Sequence, residues 1–340
     1  MTVRTGAYAY IQWVREATFG TEATGIACGS AFGFEQKITG WSFTNNKIPL
    51  SQLNDVRVKT YAYGQTRGSL SVDFVLASPW FLGLVGFKEP ACPTTGVGPY
   101  THTWDLSTCS GEVESFTAEI GIDEAPGGDV VRTIVGGIVN SASISTSVGE
   151  LAKVTLDTNY KNETLGTALD GTPAALCVTE AIPYTFAHGT LEFPNCTVIA
   201  EIQDVNVTIT QNSDHIWGIG DSRANSAIRR LTEITGSFKA SHINSTQLQK
   251  IYAQQDDTLC NTDAGAETLA VEQPTLKLTF DNGEAGTDSR TIVFAMTGIA
   301  LDDLNVSIEP NEPIFEDINF QARDCSVTAV NNTATIPASS

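Results

Sequence analysis

The side chains that could do acid–base, nucleophilic or metal chemistry are present but scattered. His102, His188, His215 and His242 stand far apart, and none has a second histidine or a cysteine at zinc-ligand spacing. Seven cysteines (Cys28, Cys92, Cys109, Cys177, Cys196, Cys260 and Cys325) are odd in number and include no Cys-x-x-Cys pair. Only Cys92 and Cys109, bracketing one loop-like stretch, suggest a pair under oxidising conditions. No apolar leader follows Met1, so folding in a cytoplasm with free thiols is expected. Asp281-Asn282-Gly283-Glu284-Ala285-Gly286-Thr287-Asp288 superficially resembles a calcium loop but lacks the alternating oxygen ligands and closing glutamate. Asp-Asn-Gly after an alternating strand predicts a hairpin turn there instead. Nucleophile-elbow, Walker A, His-Glu-x-x-His and dinucleotide-loop motifs are missing. No catalytic, cofactor-binding or metal-ligating residue is assigned, and the expectation is a chain that is not an enzyme and needs no cofactor.

The charge balance narrows the partners. With 19 basic and 39 acidic residues the formal charge is −20, the wrong sign for a dedicated DNA binder, which needs clustered cations. An apolar content of 41% is too high for an acidic disordered chain, and no uninterrupted apolar run reaches membrane-spanning length.

The elements that would carry any function are strands. Leu70 to Leu76, Phe116 to Ile120, Val205 to Ile209 and Leu276 to Phe280 alternate apolar and polar residues, as half-buried antiparallel strands do. Two helices are expected. Ser78-Pro79 opens one carrying Trp80, Phe81, Leu84 and Val85 and ending at Gly86, and Asn244-Ser245-Thr246 opens another with Leu248, Ile251 and Tyr252 on one face. These helices hold matching places in an internal repeat. Gly68-Ser69-Leu70-Ser71 recurs as Gly236-Ser237-Phe238-Lys239, Arg132-Thr133-Ile134-Val135 as Arg290-Thr291-Ile292-Val293, and the strand ending Trp41 to Asn46 as Val205 to Thr210. The expected division is a first domain over 1–166, a linker over 167–182 broken by glycine and proline, a second domain over 183–326, and a small, polar C-terminal tail over 327–340.

Charge placement repeats too. Lys47, Arg57, Lys59 and Arg67 lie before the first repeat's Gly68 strand, and Arg223, Arg229 and Arg230 before the second's, joined there by Lys239. The segment 302–317 carries Asp302, Asp303, Glu309, Glu312, Glu316 and Asp317 without a base. One face of an assembly is therefore expected to attract the opposite face of the next copy through these residues.

With the repeat in place, the chain resembles the tail tube, or major tail, proteins of tailed bacteriophages and archaeal tailed viruses. The opening Tyr10 to Thr21, with Glu16, Phe19, Gly20 and Thr21, is similar to the family's aromatic-x-x-x-x-Glu-x-x-(Phe/Tyr)-Gly-Thr start. Tyr184 to Glu192, Val205 to Ile209, Trp217 to Arg223 and Glu233 to Phe238 resemble it further. The resemblance implies a mainly β fold of two antiparallel β-sandwich or split-barrel units, each with a short flanking helix. It also implies a long loop between early strands, here Lys47 to Arg67 and Asp214 to Glu233, that reaches the neighbouring ring. A duplicated unit implies a homotrimeric, pseudo-hexameric ring, with a homohexamer as the alternative. Stacked rings would conduct the viral DNA without reading its sequence, alongside tail-completion, tape-measure and baseplate or tip proteins. The place implied is the virion tail, assembled in the host cytoplasm. If each repeat gave four strands to a 24-strand barrel, a tilt of ~40° would set a backbone diameter of roughly 48 Å, wide enough for a duplex.

Two alternatives remain on the sequence. A β-sandwich adhesin or carbohydrate-binding module would use Trp41, Trp80, Trp104 and Trp217 as stacking platforms, although Trp80 and Trp41 sit at core positions. A tail-tip or hub protein with tube-like domains is the other.

Overall fold

The computed structural model describes residues 9–23, 31–53, 55–88, 98–106, 113–122, 129–166, 183–193, 199, 202–241, 275–284, 288–308, 310 and 314–331. Its strands, in chain order, are β1 (Ala9–Arg15), β2 (Phe34–Thr44), β3 (Ile48–Ser51), β4 (Val58–Ala62), β5 (Arg67–Val75), β6 (Phe87–Lys88), β7 (Tyr100–Leu106), β8 (Phe116–Ile122), β9 (Val130–Ser147), β10 (Lys153–Tyr160) and β11 (Asn162–Gly166). The second half continues with β12 (Gly189–Glu192), β13 (Ile202–Thr210), β14 (Asp214–Trp217), β15 (Ala224–Ile228), β16 (Glu233–Ser241), β17 (Leu276–Asp281), β18 (Thr291–Ser307) and β19 (Phe315–Asn331). The mainly β, antiparallel architecture follows from the period-two alternation: Leu70, Val72 and Phe74 are buried while Ser69, Ser71 and Asp73 face out.

Fifteen strands join one sheet, and β3–β4 and β14–β15 stand apart as two-stranded hairpins. The sheet closes around a core because its longest strands change partners along their length. In β9, Val130 to Gly137 pairs with β8, whereas Ser141 to Ser147 pairs with β13. β18 pairs with β19 along its whole length and with β17 only over Thr291 to Met296, so that Ile299 to Ser307 has β19 on one side alone. A left-handed glycine sits at each crossover, Gly136 with φ 69° and Gly298 with φ 68°. A register shift follows at Asn140 and again at Asp302. Extra residues of this kind bend and twist a strand, turning it from one layer into the other.

The pairings of the two halves correspond strand for strand. β1·β8, β8·β9, β9·β10, β10·β5, β5·β2 and β3·β4 have as counterparts β12·β17, β17·β18, β18·β19, β19·β16, β16·β13 and β14·β15. A side-chain device recurs as well. Tyr160 lies over Gly68 on the neighbouring strand and Phe320 over Gly236, each ring filling the space that a side chain would take. The halves are also stitched together, by β9 against β13 and by β7 against the C-terminal part of β19.

Between the layers of the first half, Phe32 lies 5.7 Å from Trp13 and 5.9 Å from Phe74 between ring centres. The segment opened by Ser78-Pro79 is a 3-10 helix, Trp80–Val85, rather than an α-helix. All six of its residues are buried, and Gly86 at φ 78° closes it through an N–H bond to Leu82 O. Gln211 Nε2 reaches in from the second half to donate to Leu84 O at 3.0 Å. The helix expected after Asn244 lies outside the described residues. The turn at Asp281-Asn282-Gly283 joins β17 to β18 as expected, with Asn282 N donating to Arg290 O at 3.1 Å.

The expected tail over 327–340 is corrected at its start. Val327 to Asn331 continue β19, with Val327 and Ala329 buried and the run paired to both β18 and β7. Small residues fill this seam, and their alternation reads as a polar tail only when the facing strands are unknown.

A side chain at Gly68 would collide with the Tyr160 ring, which is itself held by a hydrogen bond from its hydroxyl to Ser42 O at 3.0 Å. Gly68→Val is expected to cost about 3 kcal/mol, read as a lower denaturant midpoint at an unchanged slope.

Candidate assembly surface

Several strands pair on one side only among the described residues, β1, β11 and β12 among them, and two such edges bound the polar face. β2 pairs with β5 on one side only, and the Ile299 to Ser307 part of β18 pairs with β19 on one side only. They bound an eight-strand run, β2-β5-β10-β9-β13-β16-β19-β18. In its middle, the stretch of β9 that corresponds to the open part of β18 is paired with β13, the counterpart of β2. The seam inside the chain thus joins the same two kinds of edge that lie open at its ends.

The hairpin β14–β15 crosses this seam. It leaves β13 and runs along the strand ends of the first half, where Gln211 N donates to Asn140 O at 2.8 Å and Ser213 Oγ to Val139 O at 3.0 Å. His215 is buried against Phe19, 5.7 Å away, and Trp217, 5.9 Å away. Farther out, Ser222 O accepts from Thr66 N at 2.8 Å, so the far end of this hairpin rests on the root of β3–β4.

Glu16 builds the seat for it. The buried carboxylate accepts from Gly20 N at 2.8 Å, Ser115 Oγ at 2.7 Å, Thr117 Oγ1 at 2.9 Å and Gly136 N at 2.8 Å. One side chain thereby fixes the turn after β1, the start of β8 and the crossover of β9. Phe19, held in that turn, faces Lys161, whose Nζ is 5.6 Å from the ring centre. The Glu-x-x-Phe-Gly-Thr signature carried this information in the sequence, although its physical role was not readable there.

The first-half hairpin β3–β4 has no such seat among the described residues. Leu53 is 97% exposed and Val56 104%, and Ile48, Leu50, Val58, Tyr61 and Tyr63 are exposed with them. This apolar concentration was missed by the sequence analysis, which attended to the cations of the segment. Soluble surfaces seldom keep such a contiguous patch uncovered.

Most of the charged residues singled out by the sequence occupy two opposite rims. Lys47, Arg57, Lys59, Arg67, Arg223, Arg229 and Arg230 are on or beside the hairpins, at the rim where β5 and β16 begin. Glu316 and Asp317 in β19 lie toward the other rim, where Phe315 pairs with Ser241 at the end of β16, whereas Asp303 in β18, next to Asp302, is in register with Asn319 and Ser237 midway along the sheet. Glu309 and Glu312 fall outside the described residues. The cations differ in their freedom. Arg229 is half-buried and donates to Gly86 O at 2.8 Å and to Thr232 Oγ1 at 2.7 Å, and burial pushes its guanidinium pKa down. Arg57 and Lys59 both lie on Asp55, at 3.5 and 3.1 Å, and Arg230 on Asp214 at 3.1 Å. Lys47, Arg67 and Arg223 form no ion pair among the described residues. Glu316 is buried, whereas Asp317 is exposed.

The open face of the eight-strand run is polar but not strongly charged. Hydroxyls and amides dominate, with Ser143 Oγ donating to Asn206 Oδ1 at 2.8 Å, Ser141 Oγ to Asp157 at 3.1 Å and Ser147 Oγ to Asp204 at 3.1 Å. Glu35, Asp73, Asp157, Asp204, Glu233 and Asp317 are balanced there by Lys37, Arg67, Lys153, Lys239 and Arg323. Among the described residues no group of His, Cys, Asp and Glu side chains could hold a metal ion.

A family model for the phage tail tube protein matches residues 6–322. The chain belongs to the phage tail tube protein family. Among curated proteins none matches it. Membership makes it a structural component of a viral tail, and the open edges, unseated hairpin and polar face are surfaces of a tube-family subunit. Three of the four tryptophans have little to offer a sugar: Trp80 and Trp104 are buried around His102, and Arg132 covers Trp41 at 4.3 Å, while Trp217 is half-buried beside His215.

Glu16→Gln puts an amide donor among four donors and is expected to cost about 3 kcal/mol, measured by chemical denaturation. His215 gives a pH signature. Burial pushes its pKa down to about 4, helped by Arg67 and Lys161 and opposed by the Gly136 backbone and Asp214. The unfolded chain binds this proton from about pH 6.5 downward and the folded chain refuses it until about 4, so stability falls across that window as pH drops. Thermal melts of the wild type should decline from pH 6.5 to 4 more steeply than those of His215→Gln.

Proposed function

We propose that this tail tube protein forms closed homotrimeric rings that stack into the tube through which the viral genome leaves the particle, acting as a structural protein without enzymatic activity. The observation that carries this reading is the pair of open edges, β2 and the Ile299 to Ser307 part of β18, whose counterparts are already joined inside the chain. Repeating that internal seam between chains adds an equal step at each junction. Such a heterologous contact either closes a ring or makes an open filament. Two units per chain and three chains give six equivalent seams, and closure removes the exposed edges that otherwise invite aggregation. A division into a first unit over 1–166 and a second from 183 to the end of β19 at Asn331 belongs to this reading, supported by the matching strand pairings.

The polar face of the eight-strand run lines the lumen, because its opposite face is buried core. The charge of −20 is not concentrated on it. Six carboxylates against five cations leave the field of hydroxyls nearly balanced. That surface offers DNA phosphates neither a row of cations to bind nor a strong barrier, as passage independent of sequence requires. Stacking pairs the cationic rim of one ring with the acidic rim of the next through Lys47, Arg67 and Arg223 on one side and Asp317, Glu309 and Glu312 on the other. Assembly takes place in the host cytoplasm with tape-measure, completion and tip proteins.

End views by electron microscopy, combined with amide exchange of dispersed and assembled protein, test the ring. Threefold rings with a central hole are expected, with new protection in residues 34–44 and 299–307. Tubes that leave both edges unprotected would overturn edge pairing. Arg67→Glu with Arg223→Glu is expected to leave single rings intact and shorten the tubes; unchanged tube length would remove these residues from stacking.

A further inference from the structure

We infer that the cavity between the ends of β2 and β5 and the hairpin β14–β15 is a nucleotide site, taking a phosphate on Arg67 and the attached base beside Trp217. The cavity holds about 440 Å³, a size common among small-ligand pockets. It lies wholly within one chain and does not rest on the ring reading. Its floor is the edge of the polar face, where Ser42 and Thr44 of β2 meet Ser69 of β5 and the Ser42 and Ser69 hydroxyls lie 2.8 Å apart. Asp214 and Trp217 of β14 form the opposite wall. The two sides are fixed to each other, because Ser222 O accepts from Thr66 N at 2.8 Å and from Thr66 Oγ1 at 3.0 Å. Gln65 and Arg67, on either side of Thr66, both line the cavity. Trp217 packs edge to face on the buried His215, 5.9 Å away.

The uncommitted groups around this space are mostly donors. Arg67 is exposed and forms no ion pair or hydrogen bond among the described residues, and the side chains of Thr44, Asn46 and Gln65 are unbonded there too. The indole N–H of Trp217, shielded from solvent, also has no partner among them. The carboxylate in the lining is already satisfied, since Asp214 accepts from His215 N at 2.9 Å and from Arg230 at 3.1 Å. The cavity therefore offers one positive charge among donors, which suits anionic oxygens, and a guanidinium takes those of a phosphate in pairs. A bare phosphate would leave most of the volume empty. What remains is bounded by an indole and two amides, the groups that stack on a base and bond its edges. A neutral sugar would leave the guanidinium without a counter-charge, and a base paired in a duplex cannot reach the indole. The ligand is thus a nucleotide, either free or in an unpaired strand. One guanidinium per chain is a single contact rather than a row, so it does not hold a duplex passing over the polar face.

Calorimetric titration of the dispersed full chain with dAMP, inorganic phosphate and a short single-stranded oligothymidylate tests the site. Saturable binding of dAMP is expected, with phosphate about tenfold weaker. Arg67→Gln should weaken both ligands about tenfold, whereas Trp217→Leu should weaken dAMP alone and remove its advantage over phosphate. Because Trp217 packs on His215, Gln65→Ala serves as a second variant of the lining. Its side chain is exposed, so it should weaken dAMP at an unchanged melting temperature. Oligothymidylate that displaces dAMP would assign the site to an unpaired strand, and oligothymidylate that does not would assign it to a free nucleotide. No saturable binding of dAMP, equal affinity for dAMP and phosphate, or binding that Arg67→Gln leaves unchanged would overturn the inference, and none of these results bears on whether rings close.

Discussion

The need to pair both edges of every strand governs this molecule. β9 and β18 are too long to serve one layer: past a left-handed glycine β9 passes from β8 to β13, whereas β18 leaves β17 behind and keeps β19 alone. That crossover closes each half around its core. It also leaves half of each long strand with an outer edge facing away from its own unit. In β9 that edge is filled from within the chain by β13, and in β18 it remains open. The internal seam, the open ends and the polar face are consequences of one backbone arrangement.

The crossover in turn depends on a buried carboxylate. An ionised or neutral carboxyl group placed inside a protein is costly unless it is hydrogen-bonded, and Glu16 meets that condition with four donors drawn from three separate segments. A single residue therefore couples the turn after β1 to the bend of β9 and to the platform beneath His215. Its role lies in positioning rather than chemistry. The same holds for other groups with reactive potential. His102 is packed between Trp80 and Trp104, and the Cys325 thiol is pushed up to about 12 by burial. Side chains that elsewhere perform catalysis serve here as filling.

The hairpins show how the same element can be completed in two ways. β14–β15 has its seat inside the chain and carries the buried His215, with Ile219 fully exposed at its tip, while β3–β4 carries the larger number of exposed apolar residues. Their cations differ correspondingly. Arg229 is committed to Gly86 and Thr232 within the fold, and so does not belong with Lys47, Arg67 and Arg223 as a charge offered outward. Sequence proximity grouped these residues, and burial separates them.

The sequence by itself determined the strands, the repeat and the family, because alternation is a local property and Gly68, Gly236 and the Glu16 turn are dictated by close contacts that few residues satisfy. It also placed the Trp80–Val85 turn and the hairpin at Asp281. What only the tertiary structure decided is which strand meets which, since a strand's pattern names its buried face but not its neighbour. From sequence, Val327 to Asn331 could not be told from a polar tail, because their burial comes from β7, more than two hundred residues earlier. The open edges, the balance of charge on the polar face and the unseated hairpin depend likewise on long-range pairing, and so became visible only once the chain had closed on itself.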